Sequence, residues 1–257
     1  RFGADVSGLV FDEPSGTWTA TTRDGRSFTA RTVVMAAGPL ANASLPKMRG
    51  IETYEGKKIH SARWDHAYDF AGKRVAVIGT GATGVQTIAE VAKTVGHLTV
   101  FQRRPNWCKP LHNGPIDAAT QARIKANYPE MFKRCQETFA CFLHTPDPRS
   151  AVAVSPQERE AFLEQQYASP GFGMWQGNFK DMLTNREANK VISDFVAKKI
   201  RQRVKDQKVA EMLIPKDHGF GTRRVPMETR YYEVYNQPNV TLVSIKDTPI
   251  ERITEKG

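Results

Sequence analysis

Three runs near the start of the chain alternate apolar and polar side chains and are rich in β-branched and aromatic types: Val6 to Phe11, Thr17 to Thr22 and Ser27 to Ala37. Pro14-Ser15-Gly16 and Asp24-Gly25 separate them as turns, so the pattern predicts a β-meander of two hairpins. The last part of the third run, Thr32 to Gly38, is almost wholly apolar, which predicts a fully buried strand. Pro39 to Pro46 breaks the pattern with small residues and two prolines, as a linker does. From Lys73 to Ile78 the chain reads as a short buried strand. Val85 to Val95 then carries helical spacing, with Val85, Ile88, Ala89 and Ala92 on one side. Leu98 to Phe101 reads as the next strand. Four segments between 113 and 213 carry helical patterns: 116–128, 131–143, 156–167 and 186–204. Strand patterns return at Val240 to Val243 and Ile250 to Ile253.

This order predicts an α/β chain of five parts. Residues 1–38 form a meander, 39–46 a linker, 47–112 the first part of a dinucleotide-binding domain, 113–213 a helical insertion, and 214–257 the second part of that domain. The 257 residues are 40% hydrophobic, enough for a buried core, and no apolar run approaches the ~20 residues of a membrane helix. A soluble, cytoplasmic protein with no membrane partner is expected. The start, Arg1-Phe2-Gly3, has neither an initiator methionine nor a signal-peptide pattern, which reads as an internal piece of a longer chain. Cys108, Cys135 and Cys141 match no zinc spacing and are expected as free thiols; no metal site is expected. The formal net charge of +10 could mark a polyanion partner. Its densest run, Lys198 to Lys205, lies in the 186–204 helical pattern and reads as a solvated helix surface. Basic residues interleaved with stacking aromatics are absent, so no nucleic-acid partner is expected.

Gly79-Thr80-Gly81-Ala82-Thr83-Gly84 stands between a predicted strand and a predicted helix. In that setting Gly79 permits the tight turn, Gly81 lets backbone approach a pyrophosphate, and Gly84 lets the helix pack on the strand. The helix N-terminus adds N–H donors and a positive dipole end. The loop residues, with Gln86 on the following helix, form the expected cofactor-binding set. A cofactor with a free ribose 2′-hydroxyl wants an acid at the end of the second strand. Here Phe101-Gln102 runs into Arg103-Arg104, whose planar forks suit a 2′-phosphate, so NADPH is favoured.

Tyr54-x-Gly56-x-x-x-His60-x-x-x-Trp64-Asp65, just before the glycine loop, resembles the fingerprint of Baeyer–Villiger monooxygenases. Tyr54 stands where that family usually has Phe. Trp64 separates it from related N- and S-oxidising flavin monooxygenases. Val33 to Gly38 resembles the family's strand ending in Ala-Thr-Gly, with Ala37 for Thr. Gln102-Arg103-Arg104-Pro105 resembles its Gln-Arg-Thr-Pro segment, with Arg104 for Thr. Gly221-Thr222-Arg223-Arg224-Val225-Pro226 resembles its Lys-Arg segment, and Tyr231-Tyr232-Glu233 and Asn236-x-Pro238-Asn239-Val240 follow at the family's spacing.

The resemblance implies a Rossmann-like NADPH-binding domain with a helical insertion, plus the tail end of a two-dinucleotide-type FAD domain. It implies FAD and NADPH as cofactors, and a ketone and O2 as substrates. One oxygen would enter beside the carbonyl through a peroxide at flavin C4a, giving an ester or lactone. Arg103 would meet the 2′-phosphate, Arg223 would replace the lysine that helps select NADPH, and Arg224 would be the active-site arginine. Tyr54, Gly56, His60, Trp64 and Asp65 would couple the domains. No glycine loop for FAD precedes residue 38, so this piece alone is expected neither to hold FAD tightly nor to turn over. Two alternatives stay open: an N- or S-oxidising flavin monooxygenase, and a noncatalytic dinucleotide-binding module.

Overall fold

The early alternating runs form strands because each pairs its backbone with a neighbour. In the computed structural model, which describes residues 2–38, 40, 42–246 and 248–257, strands β1 (Val6–Asp12), β2 (Thr17–Thr22) and β3 (Ser27–Ala30) make an antiparallel sheet in that order. Asp12 accepts from the Ser15 backbone N–H at 2.9 Å and closes the first turn. Gly25 takes φ +83° in the second. Phe11 and Trp18 pack at 5.1 Å between ring centroids.

The expected buried strand over 32–38 does not form. An extended segment needs a partner for its N–H and C=O groups. Among the described residues none pairs with it, and Val34 and Met35 are 83% and 73% exposed. Pro39 and Ala41 of the expected linker lie outside the described residues.

The chain divides into two units, residues 1–46 with 58–64, and residues 47–57 with 65–257. The second is an α/β unit. Strand β4 (Arg74–Ile78) leads into helix α1 (Ala82–Val91), which returns the chain to β5 (His97–Gln102). A two-residue strand β6 (Lys109–Pro110) follows. Helices α2 (Ala118–Ala126), α3 (Tyr128–Glu137), α4 (Pro156–Ala168), α5 (Gly173–Gln176), α6 (Arg186–Arg203) and α7 (Gln207–Leu213) come next. The unit closes with β7 (Met227–Glu228), α8 (Tyr231–Val234) and β8 (Val240–Ser244). The sheet β4-β5-β8 is parallel throughout, with Val77 opposite Val100 and Val100 opposite Leu242.

Helix α1 buries Val85, Ile88 and Ala89 of the predicted face, with Ala92 buried at its C-cap, and Val91 as well. Helix α4 starts where Ser155 and Glu158 form a reciprocal capping box, and Asn185 caps α6. Helix α6 sinks Ile192, Phe195, Val196 and Ile200. Its basic run meets α4 and α7 instead of solvent alone: Lys198 pairs with Glu160 and Arg201 with Glu211.

Two strand expectations are corrected. β4 is an edge strand, and its Ala76 and Ile78 face stays open; Ile78 is 46% exposed because no further layer covers it among the described residues. Residues 250–253 are irregular. Isolated bonds, such as Ile253 N–H to the Arg49 carbonyl at 2.8 Å, tie this segment to 49–55 without a ladder. The short parallel pair β6–β7, with Lys109 opposite Met227, was not anticipated from sequence.

Candidate functional site

The glycine loop occupies the turn from β4 to α1, and its three glycines differ physically. Gly79 sits at φ +105°, a region that side chains avoid. Its N–H donates to the Phe101 carbonyl at 2.9 Å. A Cβ at Gly84 would overlap the Gly79 carbonyl oxygen, so this position keeps helix and loop in contact. Gly81 has neither constraint. As N-cap of α1 it has φ −75°, and a Cβ there would meet nothing within 4 Å. No side chain caps the helix at this end. The loop therefore leaves open space beside uncapped helix donors, the surroundings that suit an anionic group. Ala82, Thr83 and Gln86 line this turn; Thr83 and Gln86 are exposed.

Thr80 is buried, and its hydroxyl donates to the Arg104 carbonyl at 2.9 Å. That bond brings the loop and the arginine pair after β5 together. The second arginine pair joins them through β6 and β7. Asn106 Nδ2 reaches the Arg224 carbonyl at 3.4 Å, and the Lys109 N–H donates to the Pro226 carbonyl at 3.1 Å. Arg103, Arg104, Arg223 and Arg224 are all exposed.

Sequence reasoning missed the acid between them. Asp217 Oδ2 lies 3.8 Å from Arg104 Nη1 and 3.7 Å from Arg223 Nη2. His218 Nδ1 lies 2.7 Å from Asp217 Oδ1, and the imidazole beside it holds the carboxyl below its usual range. The His218 side chain is 7% exposed, and its carbonyl accepts the Trp107 indole N–H at 2.9 Å. No spacing rule links Asp217 to segments so distant in sequence; a charged residue just before the Gly221-Thr222-Arg223 segment was the only signal.

A partly buried ionic cluster centres on Arg203. Arg203 donates to both oxygens of Glu233 at 2.6 and 2.8 Å, to Glu228 Oε1 at 2.7 Å and to the Tyr167 hydroxyl at 3.0 Å. Glu228 Oε2 accepts the Tyr231 N–H at 2.8 Å. Glu228 is on β7, four positions beyond Arg224, so this cluster fixes the short strand that follows the second arginine pair.

The residues of the aromatic–histidine pattern divide between the two units. In the second, Gly56 is held small because a Cβ would overlap the Tyr54 ring, and Asp65 pairs with Lys57 at 2.6 Å. The Lys57 ammonium holds the Asp65 carboxyl below its usual range. In the first, His60 Nδ1 accepts the Ala62 N–H at 3.1 Å and caps the 3-10 turn Ser61–Arg63, which Trp64 follows.

Comparison with known proteins adds relationship to this geometry. The family described as flavin-binding monooxygenase-like matches residues 11–132. The 2-oxo-Δ(3)-4,5,5-trimethylcyclopentenylacetyl-CoA monooxygenase of Pseudomonas putida is 46% identical, covering 100% of this chain and 48% of its own length. Cyclopentanone 1,2-monooxygenase of a Comamonas species is 40% identical, covering 100% and 47%. Phenazine N-monooxygenase of Lysobacter antibioticus is 37% identical, covering 98% and 46%. The crystal structure of OTEMO with FAD and NADP matches with a TM-score of 0.95 at 46% identity, covering 100% of this chain and 49% of that one. The chain thus spans about half the length of the curated relatives it matches.

Proposed function

We propose, from a chain that is a relative of the Baeyer–Villiger monooxygenases over its whole length, that it forms the NADPH-binding part of an enzyme that inserts one oxygen from O2 beside a ketone carbonyl. The second unit is then a Rossmann-like domain with residues 113–213 inserted, and the meander of 1–38 is the tail of an FAD domain. The observation that carries the reading is the convergence of an uncapped, open glycine loop and two arginine-bearing segments, joined by the Thr80–Arg104 and Asn106–Arg224 bonds.

These residues fit NADPH. The loop and the first turn of α1 would receive the pyrophosphate, while Arg103, Arg104 and Arg223 would receive the 2′-phosphate by charge-assisted hydrogen bonds. FAD finds no matching cradle here: among the described residues Gly79 to Gly84 is the only glycine loop joining a strand to a helix in this way. Bound NADPH supplies a hydride in such enzymes. The chain's own part is to bind and orient the cofactor and to set the field around it. Arg224 has a guanidinium without an ion pair among the described residues. It is the side chain we assign to stabilising negative charge that develops in the reaction. Tyr54, Gly56, His60, Trp64 and Asp65 are assigned to coupling between domains.

The test uses the full-length protein with FAD, NADPH, O2 and a panel of cyclic and linear ketones, read by product mass. A ketone that gains one oxygen as an ester or lactone, with NADPH and not NADH, supports the reading. Arg224→Ala is expected to lower that turnover about a hundredfold or more, the usual cost of removing such a donor. Oxygen transfer to amines alone would favour the second reading, N-oxidation, which the 37% identity to phenazine N-monooxygenase keeps in view.

A further inference from the structure

We propose that Asp217 is a positioning residue for 2′-phosphate recognition, holding Arg104 and Arg223 together as one receptor. This rests on the assignment of the glycine loop and its arginines to NADPH.

Arg104 and Arg223 come from distant parts of the chain and repel each other. Both are long, exposed side chains, with 57% and 47% of the side chain accessible, so each keeps rotamer freedom that a ligand would have to remove. Asp217 counters both effects. Its Oδ2 is 3.8 Å from Arg104 Nη1 and 3.7 Å from Arg223 Nη2. These distances attract the two cations yet exceed a direct N–H···O bond, so the donors of both forks remain unspent. The acid is itself anchored. Its other oxygen meets His218 Nδ1 at 2.7 Å, and the His218 backbone is held in turn by the indole N–H of Trp107, a 3% exposed side chain, which donates to its carbonyl. The chain Trp107–His218–Asp217 thus runs from the core to two surface guanidiniums.

A carboxylate near an incoming phosphate also repels it. The arrangement favours positioning because the carboxylate faces two guanidiniums and an imidazole, and it holds the two arginines near one another before the ligand arrives. A residue with this role acts on the 2′-phosphate alone. A cofactor lacking that group gains nothing from ordered arginines.

The experiment measures dissociation constants of NADP+ and NAD+, and of 2′-AMP and 5′-AMP, for the full-length protein and its Asp217→Asn variant by calorimetry. Asn keeps the shape and removes the charge. NADP+ and 2′-AMP are expected to weaken roughly three- to tenfold, with NAD+ and 5′-AMP unchanged. Asp217→Glu, which restores the charge, is expected to recover most of the NADP+/NAD+ ratio, and it serves as the second test if the Asn variant unfolds. Equal loss for all four ligands would make Asp217 merely structural; tighter NADP+ binding would make repulsion its main effect. Either overturns the proposal, as does an unchanged ratio. The arm that separates this failure from the broader one is Arg223→Ala. If that variant and the wild type both fail to distinguish NADP+ from NAD+, the cofactor assignment falls and this inference with it. If the wild type discriminates and only Asp217→Asn is silent, the role of Asp217 alone is lost.

Discussion

At Gly81 and Gly84 the same substitution should have opposite consequences. A Cβ at Gly84 would run into the Gly79 carbonyl oxygen, a backbone atom that cannot swing aside. Overpacking of this kind costs about 1–3 kcal/mol, so Gly84→Ala should lower the thermal midpoint by several degrees. At Gly81 the added methyl meets no protein atom and φ is −75°, well within reach of alanine. Gly81→Ala should leave the midpoint within a degree or two and weaken NADP+ binding by about tenfold or more, since only an approaching ligand needs the space. Thermal melts and calorimetry on the two variants separate these roles; a Gly81→Ala protein that binds NADP+ normally would remove the loop from the cofactor site. The glycine loop and Arg103–Arg104 were legible in sequence because local spacing encodes a strand, a turn and a helix. Asp217 was not, because its importance lies in where three distant segments meet.

The same contrast governs whole elements. Helices α1, α4 and α6 announce themselves through apolar spacing and through Ser155 and Asn185 at their starts. β6 and β7 have two residues each, one of them Pro110, and exist only because each supplies the other's hydrogen-bond partners. Such pairs carry no period to read. Likewise the apolar run 32–38 reads as a buried strand, although among the described residues nothing pairs with it. What holds β7 is the cluster around Arg203, whose partner Glu228 has a side chain 1% exposed. Breaking a buried pair from one side leaves an uncompensated charge and costs about 3–5 kcal/mol. Glu228→Ala and Arg203→Ala should each show losses of that order in urea unfolding, and the double variant should lose clearly less than their sum. Additive losses would mean that the two side chains act independently.

Across the molecule, the cations behind the +10 formal charge are placed in different ways. Lys198, Lys199 and Arg201 are matched by Glu160, Glu164 and Glu211, while Arg104 and Arg223 of the candidate site share one acid, Asp217. The interior holds titratable groups that act in opposition at alkaline pH. Burial pushes the Lys109 ammonium down to about 8, and its Nζ donates to the Ser169 and Gly171 carbonyls. Its folded value lies below the 10.5 of an ordinary lysine. Between those values the unfolded chain binds more protons, so this group adds stability as pH rises from about 8. Burial raises the Cys108 thiol and the Tyr231, Tyr232 and Tyr235 phenols. For these the unfolded chain loses its proton first, so stability falls as pH passes the ordinary thiol value near about 8.5 and then the phenol value near about 10. Lysine and thiol offset each other between about pH 8.5 and 10, so the sum predicts a narrow rise just above pH 8, a plateau, and steep loss once the three phenols titrate. Lys109→Met should erase the rise and keep the loss. Thermal midpoints taken across this range for wild type and variant decide the matter: parallel curves between about pH 8 and 9 would show that Lys109 titrates as an ordinary surface lysine despite its burial.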